Sequence, residues 1–95
     1  MNVKWKERLL DCDFELARDE IADFLKMQNG EARRMGGEYI WEEATAKAIK
    51  AFLVQPNLET ATVLLENAPT FYNYFEECKP TGRFAFFKRN FRGQE

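Results

Sequence analysis

Few residues in this chain have side chains suited to catalysis. Cys12 and Cys78 are the only thiols, and the sequence contains neither histidine nor serine. Without histidine there is no imidazole to act as a general base near neutral pH. A Ser-His-Asp triad and a Cys-His pair are both ruled out. A structural zinc site draws on four Cys or His ligands, and two cysteines alone cannot fill one within a single chain. The two thiols are too far apart for a CxxC motif. We therefore expect two reduced, buried cysteines that behave as small apolar side chains. No catalytic residue, metal ion or cofactor is expected.

The carboxylates give no stronger signal. Asp11, Asp13, Glu15, Asp19, Glu20 and Asp23 form an acidic run. A calcium loop needs alternating oxygen ligands around a glycine at the sharp turn, and this run has no glycine. A solvated helix face accounts for it, with mimicry of nucleic-acid phosphate as the functional alternative. In Glu42-Glu43 and Glu76-Glu77 the adjacent helical residues point about 100° apart, so they make poor acid–base pairs.

Two basic features carry more information. Arg33-Arg34, followed by Met35-Gly36-Gly37, reads as an exposed connector with a secondary capacity for anion contact. It has neither of the glycine spacings of a phosphate-binding loop. The second feature is residues 79–95. They hold five basic side chains and one acidic, a net of +4, whereas residues 1–78 hold nine basic and fifteen acidic, a net of −6. Four of the nine phenylalanines lie there. Arg83, Phe84, Phe86, Phe87, Lys88, Arg89, Phe91 and Arg92 make an aromatic, basic segment. Such a pattern closes a core, docks on a protein through phenylalanine anchors, or stacks on single-stranded nucleic acid. The same pattern also suits an anionic membrane surface. The net charge of −2 weighs against nucleic acid.

The elements that must carry these residues read as helices. From Leu10 the apolar positions Leu10, Phe14, Ala17, Ile21 and Phe24 step by four, three, four and three, an amphipathic seam. The run is either one helix from residue 3 to 28 or a short helix and a second starting near Asp13, since Asp11 and Asp13 are both acceptable N-caps. Asn29-Gly30 is the expected stop, and residues 31–37 the connector, with room for one helical turn and ended by Gly36-Gly37. A further helix is expected over 38–54, with Ile40, Ala44, Ala48, Ala51 and Phe52 inward and a Glu43–Lys47 pair outside. Gln55-Pro56 ends it. Asn57 caps the next, whose face is Leu58, Ala61, Leu64, Leu65 and Ala68, and Pro69 breaks it. Thr70 is a candidate cap for a short helix that sets Phe71, Phe75 and Cys78 on one face. Phe84, Phe87 and Phe91 suit a helix, while Phe84 and Phe86 suit a strand, so the C-terminal segment stays ambiguous.

The expected fold class is all-α: a small single-domain bundle of four to five helices over residues 1–95. The expected core is Leu10, Phe14, Ile21, Phe24, Ile40, Phe52, Leu58, Leu65, Phe71 and Phe75. The N-terminus is charged throughout and no apolar stretch is long enough to span a membrane, so a cytoplasmic protein is expected.

No motif identifies a function. By exclusion we expect a small non-enzymatic regulator that binds another protein, in the manner of an inhibitor or antirepressor-type accessory protein of a phage or mobile element. The alternatives are a nucleic-acid-binding module using the basic aromatic segment with Arg33 and Arg34, and a structural subunit of a larger assembly. A homodimer is also expected. Its interface candidates are Leu10, Phe14 and Ile21 on the first seam together with the C-terminal phenylalanines and basic residues.

Overall fold

A computed structural model describes residues 5–80, so the C-terminal candidates Arg83, Phe84, Phe86, Phe87, Lys88, Arg89, Phe91 and Arg92 lie outside the described residues. The described chain is all-helical: α1 (Trp5–Arg8), α2 (Phe14–Arg34), α3 (Glu43–Val54), α4 (Leu58–Asn67), a 3-10 turn over Pro69–Phe71, and α5 (Tyr72–Glu77). The all-α expectation holds. None of these helices is long and apolar enough to cross a membrane.

The first helix breaks before Asp13. The Asp13 side chain accepts the Leu16 N–H at 3.0 Å, satisfying one of the open amides at the start of α2. The break shifts the register of everything before it. Leu9 turns fully inward and Leu10 is 68% exposed, so Leu10 is neither core nor part of a continuous seam. Within α2 the buried positions are Leu16, Ala17 and Ile21, while Phe14 and Phe24 pack against the core from its edge.

Asn29-Gly30 does not stop α2, and the helical turn allowed for 31–37 is the continuation of α2 itself, leaving 35–37 as the link. The helix runs on through Arg34. It ends where Gly36, at φ 87°, adopts the left-handed conformation that glycine tolerates. The Gly36 N–H donates to the Arg33 carbonyl at 3.0 Å and the Gly37 N–H to the Ala32 carbonyl at 2.9 Å. Those two bonds make a Schellman cap, which outweighs the cost of about 1 kcal/mol for one glycine inside the helix.

The expected helix over 38–54 begins late, at Glu43. Residues 38–42 form no helix. Trp41 packs on Phe71 at 5.7 Å and on Tyr39 at 4.8 Å, whereas Ile40, expected in the core, is 78% exposed. The inward face of α3 is Thr45, Ala48, Ile49 and Phe52, and Ala44 and Ala51 face outward. Glu43 and Lys47 form the expected ion pair at 3.6 Å.

The next helix matches its expected start and stop. Asn57 accepts from the Thr60 amide at 2.9 Å and Thr60 Oγ1 accepts from the Asn57 amide at 3.1 Å, a reciprocal capping box. Ala61, Leu64, Leu65 and Ala68 are buried, and Leu58 packs at the edge. Thr70 does not cap the last helix. The chain passes from a Pro69–Phe71 turn directly into α5, which leaves Phe71, Phe75 and Cys78 buried as expected.

The helices α3 and α4 pack on each other, α2 lies along α5, and α1 lies on α4. Phe52 and Phe75, both fully buried, meet edge to face at 5.2 Å at the centre. The described chain measures 41 × 37 × 19 Å, which makes it a flat body.

Candidate functional site

Leu16, Ala17 and Ile21 anchor the N-terminal half of α2. From Met27 onward the helix has no buried residue: Gln28, Gly30 and Ala32 are part-buried and the rest exposed. The face that points inward near Ile21 continues outward as Phe24, Gln28, Glu31 and Met35, at steps of four, three and four. The 36–42 chain turns back beside it. Between them is a cleft of about 400 Å³ lined by Phe24, Met27, Gln28, Glu31, Ala32, Met35 and Tyr39.

The floor of this cleft belongs to an aromatic cluster. Phe24 meets Phe71 edge on at 6.1 Å and Tyr74 at 5.7 Å, and Trp41 packs on Phe71 at 5.7 Å. The rim is soft and apolar: Met35 is 86% exposed and Met27 62%, with Tyr39 beside them. Methionine side chains are flexible and polarizable, so such a rim adapts to varied partner shapes. Within the cleft wall, the buried Gln28 Oε1 has no hydrogen-bond partner among the described residues. Burial, and then the charge of Glu20, pushes the Tyr74 hydroxyl pKa upward, so Tyr74 remains a neutral phenol.

A second cleft, of about 460 Å³, lies between α1, α3 and α4. Its lining of Lys6, Ala51, Glu59, Thr60, Thr62, Val63 and Glu66 is mixed, with no aromatic side chain among the described residues.

A third feature joins α1 to α5. The Arg8 guanidinium sits 5.3 Å from the Trp5 ring and 5.6 Å from the Tyr72 ring. The Tyr72 hydroxyl donates to Glu76 at 2.7 Å, which holds the Glu76 carboxyl below the usual range, and Lys79 donates to Tyr72 at 3.2 Å. Every charge in this ladder has a neighbour of its own chain, so it reads as a clasp.

The other sequence candidates are placed as follows. Ile21 is fully buried and cannot offer surface to a second chain in this conformation, and Ala17 beside it is equally closed. The chain's own core fills the seam. Phe14 keeps only an edge position, and Leu10 is accessible but isolated from the seam. Arg33 and Arg34 are exposed, in the last turn of α2. Arg34 pairs with Glu31 at 3.2 Å. The helix end beside them is the negative one, which suits the arginines and disfavours an anion. Cys12 and Cys78 are buried and not joined in a disulfide. The Cys12 thiol donates to the Phe75 carbonyl at 3.5 Å, and burial, helped by Asp13, pushes its pKa to about 12. Such a thiol is a poor nucleophile. Among the described residues no group of three or more His, Cys, Asp or Glu side chains is placed to hold a metal ion.

Sequence reasoning missed the cleft because it took Asn29-Gly30 as the end of α2. The signal was present in the spacing of Phe24, Gln28, Glu31 and Met35 and in the glycine pair at 36–37. Comparison with protein-family models, curated proteins and solved structures finds no match.

Proposed function

We propose that this chain is a small non-enzymatic regulator that acts by binding another protein, and that the cleft on the outer half of α2 is where the partner docks. One observation carries the reading. Met27, Met35 and Tyr39 expose apolar surface around one cleft, whose wall includes Phe24 of the aromatic cluster. A chain this small has little apolar surface to spare from its core. Clustered exposure of large apolar side chains marks protein contact sites, whereas single exposed ones do not. The absence of histidine and serine supports a role without catalysis. The cleft suits an amphipathic helix or an extended segment with apolar anchors. Within this class, an inhibitor or antirepressor-type accessory protein fits the size and character of the chain.

Affinity capture from the native host tests the proposal, with wild-type protein and Met35→Glu run side by side after nuclease treatment. The reading expects a discrete protein that is retained by wild type and lost with Met35→Glu. Retained nucleic acid in place of protein would favour a nucleic-acid-binding module. Equal capture by both baits would remove the cleft from the account.

A further inference from the structure

A second, solvent-facing side of α2 adjoins the cleft at Met27. Gly30 lies inside the helix, where glycine costs about 1 kcal/mol relative to alanine. Its backbone does not require it, because only Gly36 among the described glycines has positive φ. Nothing in the described chain requires it either: a Cβ at Gly30 would meet no atom within 4 Å. A helical glycine that its own fold does not use marks a place where another backbone can approach closely.

Its surroundings indicate what approaches. Asp23, Met27, Gly30 and Arg34 follow one another at steps of four, three and four, so they form a seam on one side of α2. Asp23, Met27 and Arg34 are all exposed. The helix is also electrically polar. Residues 14–24 carry Glu15, Asp19, Glu20 and Asp23 against Arg18, a net of −3, and residues 25–34 carry Lys26, Arg33 and Arg34 against Glu31, a net of +2. A helix with that asymmetry complements itself when a second one lies antiparallel to it.

We infer that a second copy of this chain docks here, its α2 antiparallel to the first about a two-fold axis passing between Gln28 and Asn29. That register sets Met27 of each copy over Gly30 of the other, a knob in the space that the missing side chain leaves. It also sets Asp23 opposite Arg34, twice by symmetry. The acidic half of each helix lies along the basic half of the other. Lys26 and Arg33 share one flank of the seam and stay in solvent, where their repulsion is screened. The contact is small and partly charged, so association is weak, in the micromolar range, and weakens with salt. The docking cleft lies on the adjacent face; the dimer takes Met27 from its rim and leaves Met35 and Tyr39 exposed.

Sedimentation equilibrium at low and high salt tests this. Wild type is expected to dimerise at tens of micromolar. Asp23→Arg alone and Arg34→Glu alone should each weaken association at least about tenfold, because each creates two like-charged pairs across the axis. The two changes together should restore it. Gly30→Leu should abolish association while raising the melting temperature of the dilute protein, since leucine favours helix and meets open space in the single copy. That opposition of effects separates a filled interface from a damaged fold. Met35→Glu should leave the dimer intact. A wild type that stays monomeric at about 100 µM overturns the inference, as does a dimer indifferent to Gly30→Leu or a double charge reversal that fails to recover.

Discussion

The Asp13 amide donates to the Cys78 carbonyl at 3.0 Å, joining the start of α2 to the end of α5 across more than sixty residues of chain. One residue earlier, the Cys12 thiol donates to the Phe75 carbonyl of the same helix. These two bonds fix where α2 leaves the body, and so they also fix the direction in which its outer half extends.

Asp13 has two separable jobs in this joint, and only one uses its side chain. Asp13→Ala removes the cap on Leu16 and should cost about 1 kcal/mol, the usual loss for an N-cap. Asp13→Asn keeps an acceptor oxygen and should lose at most a few tenths of that amount. Urea unfolding of the three proteins measures it. An Asn variant as unstable as the Ala variant would show that the carboxylate charge, not the hydrogen bond, holds the helix start.

The buried Cys12 thiol makes stability depend on alkaline pH. Its pKa stands near 12 in the folded chain against 9.0 as the ordinary value. The folded state therefore keeps a proton that the unfolded state releases. This contribution is complete below pH 9 and disappears as pH climbs toward 12. Tyr74, also raised, acts in the same direction. Chemical denaturation on either side of pH 9 should show wild type losing stability faster than Cys12→Ala, by at most about 1.4 kcal/mol per pH unit. Parallel pH profiles would mean that the thiol is not shielded from water.

The core phenylalanines should divide into two groups. Phe52 and Phe75 are fully buried against each other, and alanine at either should cost about 3–5 kcal/mol. Phe14 and Phe24 sit at the edge, and alanine there should cost about 1–2 kcal/mol, because each ring is only part-buried. Thermal or urea melts decide it. A loss at Phe14 or Phe24 as large as at Phe75 would place the edge of the core further out along α2.

Much of this arrangement was legible in the sequence, and the failures share a cause. Pro56, Asn57 and Pro69 act through local geometry, so α4 and its inward face could be read directly. Phe71, Phe75 and Cys78 kept helical spacing even though Thr70 did not cap them. The errors fall where a local signal competes with tertiary structure. Asn29-Gly30 is a good stop, but the cap at Gly36-Gly37 and the packing of Trp41 and Phe71 below Phe24 carry the helix through it. Leu9 and Leu10 are equally apolar, and only the break before Asp13 decides which one turns inward. Ile40 suits a helix face as a residue type, but residues 38–42 form no helix and Ile40 is left exposed. The cleft inherits the first error, because a helix ending at Gln28 has no outer half to form its wall.

The most direct measurement is the affinity of the captured partner, once purified, for three forms of the chain by titration calorimetry. Met35→Glu places a charge on the exposed rim of the cleft, and Val54→Glu places one at an equally exposed site at the end of α3. The account predicts that Met35→Glu weakens binding at least about tenfold, since a charge would be buried unpaired in the contact. Val54→Glu should stay within about twofold of wild type, as expected for a surface change away from the contact. Equal affinity of the partner for wild type and Met35→Glu would contradict the claim that this chain works through the cleft on the outer half of α2.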